Sequence, residues 1–251
     1  MIIGIDMGHT VSGANTGAVG HISESVHTRM VGAILNTYLK SKGHTVINCT
    51  VDKANSNTDS INRRIASANK QPLDIFVSIH FNAGGGQGSE VLTYKGNKLP
   101  EAERVLANLS KIGFRNRGIK DALTSTKKPV GVVYSTKSKS MLVEVCFVDT
   151  KSDTDLYLKN IDQVAKAIGD GITGGVFNMT ETKPNYVPYD ENPPVGANVL
   201  SGCKKAYIQE TSDGRLNIQL DRGNYISLGK GGCRIYLNDN KGKSKVYKFE
   251  L

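Results

Sequence analysis

The chain has 251 residues, and its hydrophobic fraction of 38% and charged fraction of 22% exclude the disordered and collagen-like classes. No apolar stretch reaches the roughly 18 residues that a membrane span needs, so we expect no membrane insertion. The first residues lack the basic flank and long apolar segment of a secretory signal, and we therefore expect synthesis in the cytoplasm.

The net charge of +9 is concentrated toward the carboxyl terminus. Residues 198–251 contain ten Lys and Arg against five Asp and Glu, which is more than half of the excess. A basic surface favours anionic polymers such as nucleic acid, anionic lipid or an acidic cell wall, although a solvated basic face is the simpler interpretation.

The four cysteines form no C-x-x-C pair, which argues against a thiolate zinc site. Cys49 and Cys146 lie in apolar segments and are predicted to be buried thiols. Cys203 and Cys233 are close enough in sequence to pair, but cytoplasmic synthesis argues against an obligatory disulfide.

Strands and helices alternate in the predicted elements of the first 175 residues. Strands are predicted for the residues that lead into Gly8 and for 45–51, 74–82, 89–94, 130–135 and 141–148. Helices are predicted from Ser23 to about Lys42, around 61–68, and for 101–112 and 155–172. This order predicts a layered α/β domain with a central, mostly parallel or mixed sheet that is flanked by helices.

The pattern changes after residue 175. Residues 176–197 contain four of the seven prolines and are predicted to be an exposed linker. Residues 198–251 contain five short alternating segments that are separated by turn residues, so we expect a small all-β module. A core of this size is marginal alone, and self-association, such as a homodimer through this module, would stabilise it.

Two predicted strands end in a histidine. His9 follows the first strand, and His80 lies near the end of the strand over 74–82. Ligands collect at the carboxyl ends of strands in open α/β sheets. A catalytic zinc ion takes three protein ligands from His nitrogen and carboxylate oxygen, so a third ligand is expected nearby. Glu24 at the start of the first helix and His27 on the same helix face are both open candidates.

Glu144 lies among apolar residues in the predicted strand over 141–148. A buried glutamate must be paired, bind a metal or have a raised pKa, so we predict a functional role. Asp6 in the first strand is interpreted as a group that orients a histidine ring, or as a turn-forming residue before Gly8.

Seven segments occur in an order and spacing that are typical of one enzyme family. They are Asp6-x-Gly8-His9, the Glu24 helix, 64–69 (RIASAN), 78–83 (SIHFNA), 88–91 (GSEV), 117–120 (RGIK) and 142–147 (LVEVCF). Over roughly residues 1–174 the chain resembles the zinc-dependent N-acetylmuramoyl-L-alanine amidases of type 3. Two departures are Met7 and Thr10 around Gly-His, where the family commonly has Pro and Gly, and Asp149-Thr150 in place of Ser-Asn. We expect them to alter the shape of the cleft rather than the chemistry.

The resemblance implies cleavage of the amide between N-acetylmuramic acid and L-alanine in peptidoglycan. It implies one Zn²⁺ bound by His9, Glu24 and His80, which decides for Glu24 over His27, with Glu144 as the catalytic acid and base. It identifies no substrate-binding residues. Asn82 and Lys120, which lie in matching segments, are the candidates for that role.

The predicted layout of 1–175, 176–197 and 198–251 resembles a phage endolysin of a Gram-positive, clostridial-like host. Such an enzyme is released to act on the wall, with peptidoglycan and wall polymers as its partners and no nucleic acid. A host autolysin is the nearby alternative. A zinc peptidase that cuts within the stem peptide is the enzymatic alternative, and a non-catalytic wall-binding or nucleic-acid-binding protein with a structural zinc is the third.

Overall fold

The structure is a computed structural model that describes residues 1–124 and 130–179 together with the backbone of five strands between 206 and 249. The chain divides into two compact units, Met1–Thr180 and Glu181–Leu251. The first unit has eight strands in its described residues: β1 (Ile2–Met7), β2 (Ser12–Gly13), β3 (Thr45–Asn48), β4 (Lys53–Ala54), β5 (Ile75–Asn82), β6 (Ser89–Thr93), β7 (Asn116–Asp121) and β8 (Ser140–Phe147). Its described helices are α1 (Glu24–Ser41), α2 (Asn57–Ala68), α3 (Pro100–Ile112), α4 (Gly131–Tyr134), α5 (Lys151–Lys159) and α6 (Ile161–Thr173).

Six strands form one sheet in the order β3-β1-β5-β8-β6-β7. All neighbours are parallel except β6, which runs antiparallel to β8. Helices α1, α3 and α6 pack together on one face, while α2 and α4 pack on the other. The predicted α/β architecture with a mixed central sheet and flanking helices is confirmed.

Two predicted elements differ from the structure. The strand predicted over 130–135 is wrong, because Gly131–Tyr134 form the short helix α4, with Val132 and Val133 buried in the core. A short apolar run has the same composition in a buried strand and in a buried helix, so periodicity does not separate them. The single helix predicted over 155–172 is two helices, since the backbone leaves helical geometry at Asn160, where φ is −132°.

Strand β7 was not among the predicted elements. It contains the charged residues Arg117, Lys120 and Asp121 and one large apolar residue, and Gly118 within it has a φ of +84°, so the segment lacks the apolar alternation of a half-buried strand. Its position beside β6 completes one end of the sheet.

The close approach of α1 to β1 fixes where this helix begins. Gly32 lies against Met7, and a Cβ atom on Gly32 would be 2.4 Å from Met7 Cγ. Val31, Leu35 and Leu39 follow at helical spacing and are fully buried. This packing holds the first turn of α1, with Glu24, at the carboxyl edge of the sheet.

In the second unit the structure describes five strands, at about the predicted positions. They are β9 (Ala206–Glu210), β10 (Leu216–Leu220), β11 (Tyr225–Leu228), β12 (Cys233–Asn238) and β13 (Ser244–Phe249). Strands β11, β10 and β9 form an antiparallel sheet, and β12 pairs with β13. The predicted linker, apart from residues 176–179, and the pairing of Cys203 with Cys233 lie outside the described residues. Cys49 and Cys146 are buried free thiols, as predicted.

Within residues 1–124 and 130–179, none of the helices combines the length and the apolar character that a membrane span requires.

A buried histidine lies on the core side of α1. His27 is fully buried between Phe81 and Tyr157, and its Nδ1 atom is 3.2 Å from the Tyr157 hydroxyl. Its Nε2 atom has no hydrogen-bond partner among the described residues. Burial lowers the pKa of His27 to about 4, so the ring is neutral at pH 7.

This burial predicts a pH-dependent loss of stability. The unfolded chain binds a proton at His27 more tightly than the folded chain, so stability is lost as the pH falls from about 6.5 toward 4. Between pH 7 and pH 5 we expect the free energy of unfolding to fall by about 2 kcal/mol more in the wild type than in His27→Gln. Chemical denaturation of the metal-free chain measures this difference, and His21→Gln, at an exposed position, is the matched control. An equal fall in wild type and His27→Gln contradicts the prediction.

Candidate metal centre

Three side chains from separate elements meet at the carboxyl edge of the sheet. His9 follows β1, Glu24 is the first residue of α1, and His80 lies near the end of β5. Glu24 Oε2 is 3.1 Å from His9 Nε2, and Glu24 Oε1 is 3.0 Å from His80 Nδ1. Each residue offers one ligand atom, and these three atoms lie within 4.8 Å of one another. His27 is not part of this cluster.

The Glu24 carboxylate is the buried centre of the cluster, with 3% of the residue exposed. Besides the two histidines, it accepts hydrogen bonds from the backbone N–H groups of Ala18, at 2.9 Å, and Phe81, at 3.1 Å. Burial alone would raise the pKa of Glu24, but the hydrogen bonds from His80 and His9 outweigh it and hold the pKa well below its usual range. The carboxylate is therefore ionised and available as a ligand.

The two histidine rings differ in their surroundings. Burial lowers the pKa of His80, which keeps the ring neutral as a metal ligand must be. Burial also acts to lower the pKa of His9, but the contact with Glu24 outweighs it and the net shift is upward. His9 Nδ1 lies 3.0 Å from the side-chain oxygen and 3.2 Å from the carbonyl oxygen of Asn15, which orient the ring.

The backbone of His9 has an unusual conformation that two arginines hold in place. Its φ of +60° lies in the left-handed region, which residues other than glycine rarely adopt. The His9 carbonyl oxygen accepts hydrogen bonds from Arg29 Nη2, at 2.6 Å, and from Arg64 Nη2. Arg29 also donates to the Gly8 carbonyl and pairs with Asp52 at 3.0 Å. The turn that presents His9 is thus fixed from two helices.

Asp6 supports this turn through Arg64. Arg64 is buried on α2, donates to Asp6 Oδ1 and donates to the Met7 carbonyl at 2.9 Å. The Ser78 hydroxyl donates to the other Asp6 oxygen at 2.6 Å. The interpretation that Asp6 orients a histidine ring is therefore wrong. Asp6 binds the guanidinium of Arg64, and this guanidinium holds the His9 backbone.

Glu144 lies next to His80 across the sheet. The two residues are register partners on β8 and β5, and Glu90 on β6 is the partner of Glu144 on its other side. Directly paired residues project to the same face, so these three side chains form a row. Glu144 Oε2 is buried and has no hydrogen-bond partner among the described residues. Burial, followed by the charges of Glu24 and Glu90, raises the pKa of Glu144 well above its normal value.

Asn82 and Lys120 occupy different settings. Asn82 ends β5 and donates to Glu90 Oε1 at 2.8 Å, so it borders the row. Lys120 is exposed and is the register partner of Leu92, which lies two residues beyond Glu90 on β6. Lys120 therefore lies farther than Glu90 from the edge of the sheet that carries the cluster. Their roles in substrate binding stay predictions.

The sequence did not assign roles to several residues that shape the site. They are Asn15, Arg29, Arg64, Glu90 and Arg117. Arg64 carried a usable signal, since Ser60, Arg64 and Ala68 are spaced by four along one buried helix face. An arginine on such a face needs a buried acidic partner.

The donor set fits a zinc ion. Two imidazole nitrogens and one carboxylate oxygen are the ligand types of catalytic zinc sites, which leave a further position open. The Asn15 contact with His9 and the two backbone N–H groups that donate to Glu24 supply the outer hydrogen bonds that such ligands need. The three residues are therefore suited to bind Zn²⁺.

The buried Asp6–Arg64 pair predicts a large effect of one substitution. Arg64→Met leaves the Asp6 carboxylate buried without its cation, which destabilises the protein by about 3–5 kcal/mol. Arg63→Met is the matched control, because that side chain is 55% exposed, and we expect a change within about 0.5 kcal/mol. Chemical denaturation followed by circular dichroism measures both. Adding Asp6→Asn to Arg64→Met should restore part of the loss, and equal stability of the two single variants contradicts the account.

The chain is similar to known proteins in fold and in sequence. The catalytic domain of the CD27L endolysin, described as targeting Clostridia Difficile, superposes with a TM-score of 0.63 at 29% identity, covering 71% of this chain and 99% of that domain. An uncharacterised Clostridium perfringens protein is 32% identical over 88% of this chain, which spans 62% of that protein's length. The N-acetylmuramoyl-L-alanine amidase CwlM of Bacillus licheniformis is 30% identical over 70% of this chain and 69% of its own length.

The sequence also matches the Amidase_3 family, described as N-acetylmuramoyl-L-alanine amidase, over residues 3–174. This match covers more than half of the chain and the whole described site. The chain therefore belongs to the N-acetylmuramoyl-L-alanine amidase family.

Proposed function

We propose that the first unit hydrolyses the amide between N-acetylmuramic acid and L-alanine in peptidoglycan, with zinc as its cofactor. The observation that carries this proposal is the cluster of His9, Glu24 and His80 with Glu144 beside His80 on the next strand. Membership of the amidase family supports the substrate and the bond.

His9, Glu24 and His80 would hold the zinc ion. When bound, zinc supplies Lewis-acid chemistry, which polarises a carbonyl group and makes water more acidic. The hydrogen bonds from Ala18 and Phe81 to Glu24 hold this carboxylate beside the two histidines.

Glu144 would transfer the proton. Hydrolysis adds water to the carbonyl carbon, breaks the carbon–nitrogen bond and delivers a proton to the amine of L-alanine. A carboxyl group can take the proton from water and then give it to the nitrogen. The raised pKa of Glu144 makes its carboxylate a stronger base toward the water proton, and Oε2 has no hydrogen bond to the described residues that would compete with this transfer.

We further propose that the chain acts as a phage endolysin that lyses a Gram-positive host from within after its release. Similarity to the CD27L endolysin catalytic domain supports this role. In this proposal residues 1–175 are catalytic, 176–197 are a linker, and 198–251 bind the wall. The division of the chain near residue 180 is consistent with that layout.

The metal proposal predicts that His80→Ala loses zinc. Removing one of three ligands typically leaves too few donors for tight binding, so we expect less than 0.1 zinc per chain, roughly the background level, against about one in the wild type. Elemental analysis after dialysis measures the content. His21→Ala is the matched control, because His21 is exposed and not in the cluster. Full zinc content and full activity in His80→Ala contradict the assignment.

The proposed reaction is tested by the products it releases from cell walls. Purified walls digested by the wild type should release free L-alanine amino groups, whereas Glu144→Gln should keep zinc and the fold but lose about 10²-fold or more of the activity. Mass spectrometry and end-group labelling identify the new termini. New termini within the stem peptide would indicate a peptidase instead. Wild-type turnover by folded Glu144→Gln would remove this residue from the mechanism.

The wall-binding proposal is tested with the inactive Glu144→Gln chain fused to a fluorescent protein. We expect it to label host cells, and the same fusion ending at residue 180 to label them at least about tenfold less, since roughly 1.4 kcal/mol of binding free energy gives this factor. Moderate salt should weaken labelling if charge dominates. Equal labelling by both fusions, or uniform labelling of unrelated bacteria, contradicts a targeting role.

A further inference from the structure

An arginine lies next to Glu90, at the end of the row formed by His80, Glu144 and Glu90. Arg117 on the end strand β7 donates from Nε to Glu90 Oε2 at 2.8 Å, and its guanidinium lies 4.8 Å from the centre of the Phe147 ring. Its side chain is 30% exposed. Glu90 is itself buried and also accepts a hydrogen bond from Asn82. Arg117 is thus anchored at one nitrogen while part of its side chain stays exposed.

In the part of the chain that the structure describes, no polar group contacts the terminal nitrogens of Arg117. Among the described residues Glu90 is the only polar partner of this side chain, and the contact is made through Nε. The two terminal nitrogens carry four N–H donors in a planar arrangement that matches a carboxylate. The ion pair and the aromatic ring fix the guanidinium before a ligand arrives, which reduces the entropy lost on binding.

The position of Arg117 relative to the site suggests what it binds. The row runs His80, Glu144, Glu90 on successive strands, and Arg117 follows on the next strand. Neighbouring strands are about 4.8 Å apart, so Arg117 lies about 10 Å from Glu144 along the row. An extended peptide advances about 3.3–3.6 Å per residue, so the distance between these strands corresponds to about three residues. Arg117 Nε lies 2.8 Å from Glu90, which is one strand nearer to Glu144, so the guanidinium itself is within reach of about the second residue.

We propose that Arg117 determines specificity by binding a free carboxylate of the stem peptide, close to the second residue counted from the scissile amide. The proposal rests on the amidase function and adds to it the part of the substrate that the site recognises. The peptide would then lie across the sheet from Glu144 toward β7, with L-alanine nearest to Glu144. A bidentate contact between guanidinium and carboxylate supplies both the attraction and the orientation.

Two soluble substrates test the proposal. Both are muramoyl dipeptides that differ in one group, which is a free carboxylate or a carboxamide on the second residue. We expect the wild type to prefer the carboxylate, and Arg117→Gln to lose about 10–100-fold in kcat/KM on it, mainly through KM, with little change on the amide. Arg117→Lys should keep part of the preference. Arg115→Gln, an exposed arginine two residues earlier, should keep all of it.

The ratio between the two substrates separates recognition from structure. A variant that is partly unfolded loses activity on both substrates equally, so its ratio is unchanged. A wild type without preference, or an Arg117→Gln variant with the wild-type ratio, overturns the proposal.

Binding without turnover separates this proposal from the amidase function. The free dipeptide and its amide can be titrated into the zinc-treated wild type and into Arg117→Gln, with binding followed by NMR. Tighter binding of the carboxylate form that requires Arg117 supports the proposal, even if neither muramoyl substrate is cleaved, and the absence of cleavage would then contradict the amidase function alone. Equal binding of both forms by both proteins overturns the role of Arg117.

Discussion

The structure depends on one buried carboxylate between two histidines. Glu24 contacts His9 and His80 with separate oxygens and receives two backbone hydrogen bonds as well. A carboxylate taken out of water at this depth is tolerated only where its charge is matched. Helix α1 must therefore begin at the edge where β1 and β5 end. The loop between His9 and α1 runs close to these side chains at Gly17. A Cβ atom at this position would be 2.8 Å from both Glu24 Oε2 and the His9 ring, so a larger residue would not fit.

A second group of charged residues, Asp6, Arg29 and Arg64, keeps His9 in position beside Glu24. His9 adopts a conformation that costs free energy for a residue with a side chain, and Arg29 and Arg64 offset this cost by binding its carbonyl group. Arg64 is in turn neutralised by Asp6. Burying such a pair adds little to stability compared with apolar packing, but breaking it is costly. The fold thus maintains ionic contacts whose effect is to position one histidine.

The sequence predicted the parts of the site that local patterns determine. Apolar runs that end in His9 and His80 placed both at one edge, and the burial expected around Glu144 agrees with its buried, unpartnered oxygen. Spacing alone did not separate Glu24 from His27, because both residues lie on one side of α1. In the folded protein His27 is buried against Tyr157 instead of lying at the edge of the sheet, and this depends on tertiary packing. The pairing of Asp6 with Arg64 joins residues 58 positions apart, which no local pattern encodes. The short helix α4 was mistaken for a strand because its composition fits both.

In the proposed metal centre, zinc is held by nitrogen and oxygen atoms of His9, Glu24 and His80. Zinc-edge X-ray absorption spectroscopy of the zinc-loaded chain measures the ligand shell directly. The account predicts two imidazole nitrogens at about 2.0–2.1 Å with the remaining ligands oxygen. It also predicts that the spectrum changes in Glu24→Gln. A sulfur shell at about 2.3 Å, or a spectrum that Glu24→Gln leaves unaltered, would contradict it.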